Sequence, residues 1–324
     1  MLYLSNMTPL LVVLLPFIGA LIVGVIGDNN KKIRNCVATS TAFLTCVLAL
    51  SMYPQVASGN VINFALSKFM GLGLVFRVDF MGFVFTGMAS FIWFLATLYS
   101  GEYMDHEHAS SRYYVFLLLS LGGTLGVFVT GDFLSLFLFF ETMTLCSYVL
   151  VVHAQSDEAM AAGRNYLYMG VFGGLCLLVA IMLVTMQAGT TAITASLETL
   201  VDMGTMRYVV AALFFIGFGI KAGAAPMHIW LPQAHPVAPT PASALLSGIM
   251  IKSGAYGIIR VFTVLYTPAS GESSLWITTQ QLGYALIWFG MLTMFMAAVL
   301  ALGQLHAERV LAYSSVCQIG YILM

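Results

Sequence analysis

Three ionisable side chains sit in the middle of otherwise greasy stretches: Glu141 in DFLSLFLFFETMTLCSYVLV, Lys221 in AALFFIGFGIKAGAAP and Lys252 in ASALLSGIMIKSGAYGII. A charged group at the centre of a hydrocarbon layer costs about 3 kcal/mol on insertion scales, and the acids and bases kept there mark ion or proton pathways. Burial disfavours a lysine's charged form and a neighbouring carboxylate favours it. A buried lysine with an adjustable glutamate can therefore hold or release a proton near neutral pH. On a helix the face of Glu141 continues through Thr144 and Tyr148, three and seven positions on. This polar stripe should turn towards other helices. A neutral glutamate hydrogen-bonded for packing would also explain it. The carboxylate–lysine pair is preferred because intramembrane acids are functional by default.

Lys221 is followed by Gly223 and Pro226. Proline lacks the backbone donor and clashes with the preceding turn, so a helix should break near 221–226. An interruption of this kind beside an ionisable residue is the pattern of discontinuous helices around transport sites. Five prolines fall from 226 to 241, four of them in the connection MHIWLPQAHPVAPTP, whose His228 and His235 are able to pass protons near pH 7. His228 is read as a relay member. His235 lies nearer the membrane edge, where capping and relay roles are equally served. Lys252 falls near mid-depth of the next span, with Tyr256 one turn on.

The elements that must position these groups are membrane helices. Of 324 residues, 60% are hydrophobic and 8% charged, with a net charge of −1 and a mean hydropathy of +0.95. Soluble domains carry about a quarter charged residues, so a water-soluble fold is excluded. A bilayer core needs about 20 apolar residues per helix. Such runs occur at 9–27, 33–53, 78–99, 113–131, 133–152, 163–187, 207–227, 240–266 and 280–303, and a tenth begins near Arg309. They are too continuous for the alternating strands of a barrel. The fold expected is an all-α transmembrane bundle of about ten helices in one domain: 1–112 as three helices, 113–266 as five, and 280–324 as the start of a further set.

The first span lacks the basic residues and cleavage site of a signal peptide and is taken as retained. Lys31, Lys32 and Arg34 follow it, so that loop is expected on the cytoplasmic side of a plasma (inner) membrane. Arg112, Arg164 and Arg309 would share that side, with Lys68, Arg77, Arg207 and Arg260 opposite. The N-terminus is then outside. Segments 54–77 and 267–279 read as outer loops or short amphipathic pieces. The cluster Glu102, Asp105, His106, Glu107 and His108 reads as a solvated connector. The cysteines (Cys36, Cys46, Cys146, Cys176, Cys317) lack metal-site spacing and read as free thiols. With no Walker loop, dinucleotide fingerprint or haem-ligand pair, no cofactor and no metal is expected. His306, beside Glu308, reads as a surface residue.

The stretch KAGAAPMHIWLPQAHPVAPTPASALLSGIMIKSGAYGIIR closely resembles the signature of the antiporter-like membrane subunits of respiratory complex I. That family also includes subunits of membrane-bound hydrogenases, formate hydrogenlyase and multisubunit sodium/proton antiporters. GDFLSLFLFFETMTLCSYVLV, YSGEYM and LGQLHAERVLAYSSVCQIGYIL carry the same resemblance, which spans roughly residues 75–324. It implies that Glu141 pairs with Lys221, that Lys252 is the central lysine, and that His228 follows the helix break. It also implies two inverted five-helix repeats, the second of them cut short here. Where the family usually has Asp and Lys before the tenth helix, His306 and Glu308 stand, and Gln318 replaces a frequent histidine.

The expectation is a proton-translocating, non-redox membrane subunit of a complex I-related redox complex, such as an NADH–quinone oxidoreductase or hydrogenase. Its partners would be other integral membrane subunits, a peripheral redox arm reached through them, and the lipid bilayer, without nucleic acid. Alternatives are a subunit of a multisubunit Na+/H+ antiporter, a non-transporting scaffold, a solute transporter for inorganic carbon, or a quinone-reducing subunit.

Overall fold

A backbone immersed in lipid must satisfy its polar groups internally, and continuous apolar runs of this length do so as helices. The computed structural model describes residues 2–66, 73–193, 200, 203–266 and 275–324. Among them, eight helices are long and apolar enough to cross a membrane. Two more, at 206–222 and 307–323, have 17 residues each. Together they match the ten spans expected. Residues 67–72 (with Lys68) and 267–274, both within stretches read as outer loops, lie outside the described residues.

The chain divides into two compact units. The first comprises residues 1–154 with 239–245. It holds α1 (Leu2–Ile26), α2 (Lys31–Leu50), the short α3 (Tyr53–Ala57), α4 (Phe80–Tyr103), α5 (Ser110–Val129) and α6 (Phe133–Val151). The helix α5 packs against α1, α4 and α6. Its Leu117, Leu118, Leu121 and Leu125 are fully buried, and the Leu117 carbonyl accepts the indole N–H of Trp93 at 3.1 Å.

Between α3 and α4 the structure has a β-hairpin where a loop was expected. Strands β1 (Ile62–Leu66) and β2 (Leu74–Val78) pair antiparallel from Ile62↔Val78 to Leu66↔Leu74. β2 alternates buried and half-buried residues, the period of a strand with one face on a core. Asp132 fastens it. This carboxylate, 2% exposed, caps α6 by accepting the Ser135 N–H at 2.8 Å and the Ser135 hydroxyl at 2.5 Å. It also accepts the Val75 N–H of β2 at 3.0 Å, while Gly131 N–H donates to the Val75 carbonyl at 2.8 Å.

At one end of this unit two polar clusters tie the helix ends together. Arg34 is fully buried and bonded to Asp28 at 2.5 Å, beneath the ring of Tyr114. Asp28 also accepts the Ser111 N–H at 3.2 Å. Arg34 is therefore a structural cation, and only Lys31 and Lys32 of that basic loop are exposed. Nearby, Arg112 donates to the His153 carbonyl at 2.7 Å, and the His153 ring bonds the His108 carbonyl at 3.0 Å and stacks on the His108 ring. His108 stays exposed in the connector while its ring stacks on His153 at the end of α6.

The second unit, residues 155–238 with 246–324, holds α7 (Asp157–Ala188), α8 (Met206–Ala222), α9 (Leu231–Ala234) and the main part of the helical stretch Thr240–Leu265. That stretch is α10 (Thr240–Leu245, assigned to the first unit), a π-helical turn Leu246–Met250 and α11 (Ile251–Leu265). Two further helices, α12 (Leu275–Leu302) and α13 (Ala307–Leu323), pack on each other.

Replacing Asp132 by Ala should remove both the cap and the strand anchor and lower stability by about 2 kcal/mol, read as thermal unfolding of the detergent-solubilised protein. An unchanged melting temperature would show that the carboxylate anchors nothing. Burial, aided by the Arg112 cation, pushes the His153 imidazole down to about 4. Its pKa is depressed in the fold, so its contribution is fully present above about pH 6.5 and is lost as pH falls towards 4. His153→Gln should flatten that part of the stability–pH curve. The same slope in both proteins would contradict this.

Candidate functional site

The helix α8 stops at Ala222 because Gly223 takes φ +73°, a left-handed conformation natural to glycine. The N–H groups of Gly223 and Ala224 then close on the carbonyls of Ile220 (3.2 Å) and Gly219 (2.9 Å). Pro226, after a cis Ala225–Pro226 bond, prevents the helix from resuming. Several of the freed polar groups find partners. Ala225 N–H donates to the Thr293 hydroxyl of α12 at 3.0 Å, and Met227 N–H to the Ala224 carbonyl at 2.7 Å. The Ile220 carbonyl also accepts the Trp230 indole N–H at 2.7 Å. This is the accounting that a backbone break inside a membrane protein requires.

Lys221 occupies the last turn before the break and is only 3% exposed. Its Nζ donates to the Tyr166 hydroxyl of α7 at 2.6 Å. The same nitrogen is 4.9 Å from the Tyr166 ring centroid, so it meets the hydroxyl end of the side chain and not the ring face. Trp230 packs edge-on against Tyr166 with centroids 4.9 Å apart. Beside Tyr166, Asn165 donates to the Gln233 side-chain carbonyl of α9 at 2.6 Å. Two successive residues of α7 therefore grip the two sides of the break.

The helices around Lys221 approach without side chains between them. A Cβ on Gly254 of α11 would lie 2.5 Å from the Ala222 nitrogen and the Phe218 carbonyl oxygen of α8. α8 also meets α7 closely, with Gly217 against the Leu177 side chain and the Gly173 carbonyl. The π turn Leu246–Met250 immediately precedes Lys252, whose Nζ donates back to the Ser247 carbonyl. Such widened turns are frequent at functional sites.

His228 lies in the break, 7% exposed, with its ring edge towards Tyr313 of α13 at 6.1 Å. His235 is 4% exposed and feels the charge of Lys252. Tyr256 is buried, and its hydroxyl accepts from Arg260 at 2.7 Å. Lys221, His228, His235, Lys252 and Tyr256 thus belong to one unit. Glu141, Thr144 and Tyr148 belong to the other, on α6, where Glu141 and Tyr148 are half-buried. Thr144 is buried and bonds the Phe140 carbonyl of its own helix at 2.9 Å.

The sequence reading did not single out Tyr166, Trp230, Ser247 or Thr293. The polar run GRNYLY within an apolar span was the available signal for Tyr166. No residue pattern announced the π turn.

A family model described as NADH:quinone oxidoreductase/Mrp antiporter, TM matches residues 130–324. A Staphylococcus aureus protein named as antiporter subunit mnhD2 is 30% identical over 326 residues, covering 99% of this chain and 63% of the relative. A Staphylococcus saprophyticus protein named as antiporter subunit mnhA2 is 29% identical over 90% of this chain and 36% of its own length. Among solved structures, a chain of the membrane-bound sulfane sulfur reductase, an archaeal respiratory membrane complex, superposes with TM-score 0.87 at 27% identity, over 97% of this chain and 63% of that one. A chain of the Mrp complex from Dietzia sp. gives TM-score 0.84 at 27% identity, over 98% and 34%. The chain therefore spans less than two thirds of the length of these relatives.

Gly254→Val should push α11 from α8 and lower thermal stability by about 1–3 kcal/mol, the usual range for overpacking, as read by unfolding in detergent. A neutral result would mean that the helices are not in backbone contact.

Proposed function

The chain belongs to the NADH:quinone oxidoreductase/Mrp antiporter membrane family, and from that premise we propose that it is an antiporter-like subunit carrying protons through Lys221. The observation that carries the reading is a lysine buried to 3% exposure in the last turn before a helix break. Intramembrane cations are retained where they work, and broken helices line cavities. Glu141 would hold Lys221 charged. Loss of that partner favours the neutral amine, and the proton passes through His228 towards Lys252. The Lys252 ammonium rests on the Ser247 carbonyl, with His235 within reach of its field. No step needs a cofactor of this chain's own, so the drive would come from neighbouring membrane subunits.

The relatives named as antiporter subunits favour a multisubunit cation/proton antiporter as host. The likeness to a sulfane sulfur reductase chain supports a redox-linked host as the second reading. The exposed Lys31 and Lys32 agree with a cytoplasmic first loop and an outer N-terminus.

In inverted vesicles holding the assembled complex, Lys221→Ala and Glu141→Ala should each reduce proton movement at least about tenfold, as loss of a positioned proton carrier does. Subunit assembly should persist. Near-normal transport by both variants would dismiss the relay. Exchanging sodium for potassium in the same vesicles separates the hosts, since only the antiporter reading expects proton movement to follow the sodium gradient.

A further inference from the structure

We propose that Tyr166 is a positioning residue for Lys221, its hydroxyl being the neutral seat on which the ammonium rests. The inference builds on the reading of Lys221 as proton carrier. Lysine ends are flexible, with four rotatable bonds, and a buried ammonium left without an acceptor is strongly disfavoured. In this structure the acceptor is the Tyr166 hydroxyl at 2.6 Å. The seat is built, not incidental. Trp230 packs edge-on against the Tyr166 ring, and its indole N–H is tied to the Ile220 carbonyl, one residue before Lys221. Asn165, the neighbour of Tyr166, is tied to Gln233 beyond the break. Tyr166 therefore keeps its distance to Lys221 through contacts on both sides of the interruption.

A neutral hydroxyl is a suitable second partner. It accepts from the ammonium but adds no charge, so it supports the protonated lysine less than a carboxylate does and lets the proton leave. A relay lysine needs two such states, one held tightly and one held loosely. Tyr166 supplies the loose one.

The test is Tyr166→Phe in the assembled complex, which removes the hydroxyl and keeps the ring on Trp230. Proton movement in inverted vesicles is followed across pH, with Lys221→Ala in parallel. Removing an acceptor from an ammonium disfavours its charged form. The alkaline limb of the rate profile should therefore move about one pH unit towards acid, with a several-fold lower rate at the original optimum. An unchanged profile, or a lower rate without the shift, overturns the role of Tyr166, the second outcome marking a merely structural side chain. If Lys221→Ala abolishes transport while Tyr166→Phe behaves like the unaltered protein, only this inference fails. If Lys221→Ala transports normally, both it and the relay fail. Should Tyr166→Phe not assemble, Trp230→Phe, which loosens the seat but leaves the hydroxyl, should shift the limb in the same direction by less. An assembled Trp230→Phe with an unshifted profile overturns the proposal equally.

Discussion

A polar group surrounded by hydrocarbon must find its partner within the protein, and most of the particular features of this molecule answer that demand. Lys221 has Tyr166, and the N–H groups released where α8 breaks have Thr293 and neighbouring carbonyls. Each arrangement replaces hydration that lipid cannot provide, worth several kcal/mol per unsatisfied group. Partners of this kind help the break to be tolerated, and the Tyr166 hydroxyl does the same for the lysine beside it.

Two kinds of buried polar group can be told apart by their surroundings. Asp132 and Arg34 are fixed by several short bonds, which tie a hairpin to α6 and one helix end to another. Among the described residues, Lys221 bonds a hydroxyl and Lys252 a backbone carbonyl, both uncharged acceptors. Several bonds to one charged side chain lock it in place. The two lysines, each with a neutral partner, are held by fewer bonds.

Much of this could be read from residue order. Runs of about 20 apolar residues marked the helices because bilayer thickness sets that length. Gly223 and Pro226 marked the break because both act on the backbone itself, and the intramembrane lysines stood out by their cost alone. Other features were hidden for equally physical reasons. INFAL and LVFRV are short and largely apolar, so the hairpin looked like connecting chain, and its anchor Asp132 is 57 positions distant from Val75. Arg34 looked like a surface charge because Asp28 gave no sign of reaching it. Tyr166 is one tyrosine among 15. Only the fold reveals which of them faces a lysine.

The glycine contact between α8 and α11 has a mechanical consequence. Where side chains separate two helices, rotamer changes absorb small displacements. At Gly254 there is nothing to absorb them, since main chain rests on main chain at the level of Ala222. Main chain thus meets main chain one residue after Lys221 and two residues after Lys252, so the spacing of the two lysine-bearing segments is set by the backbone.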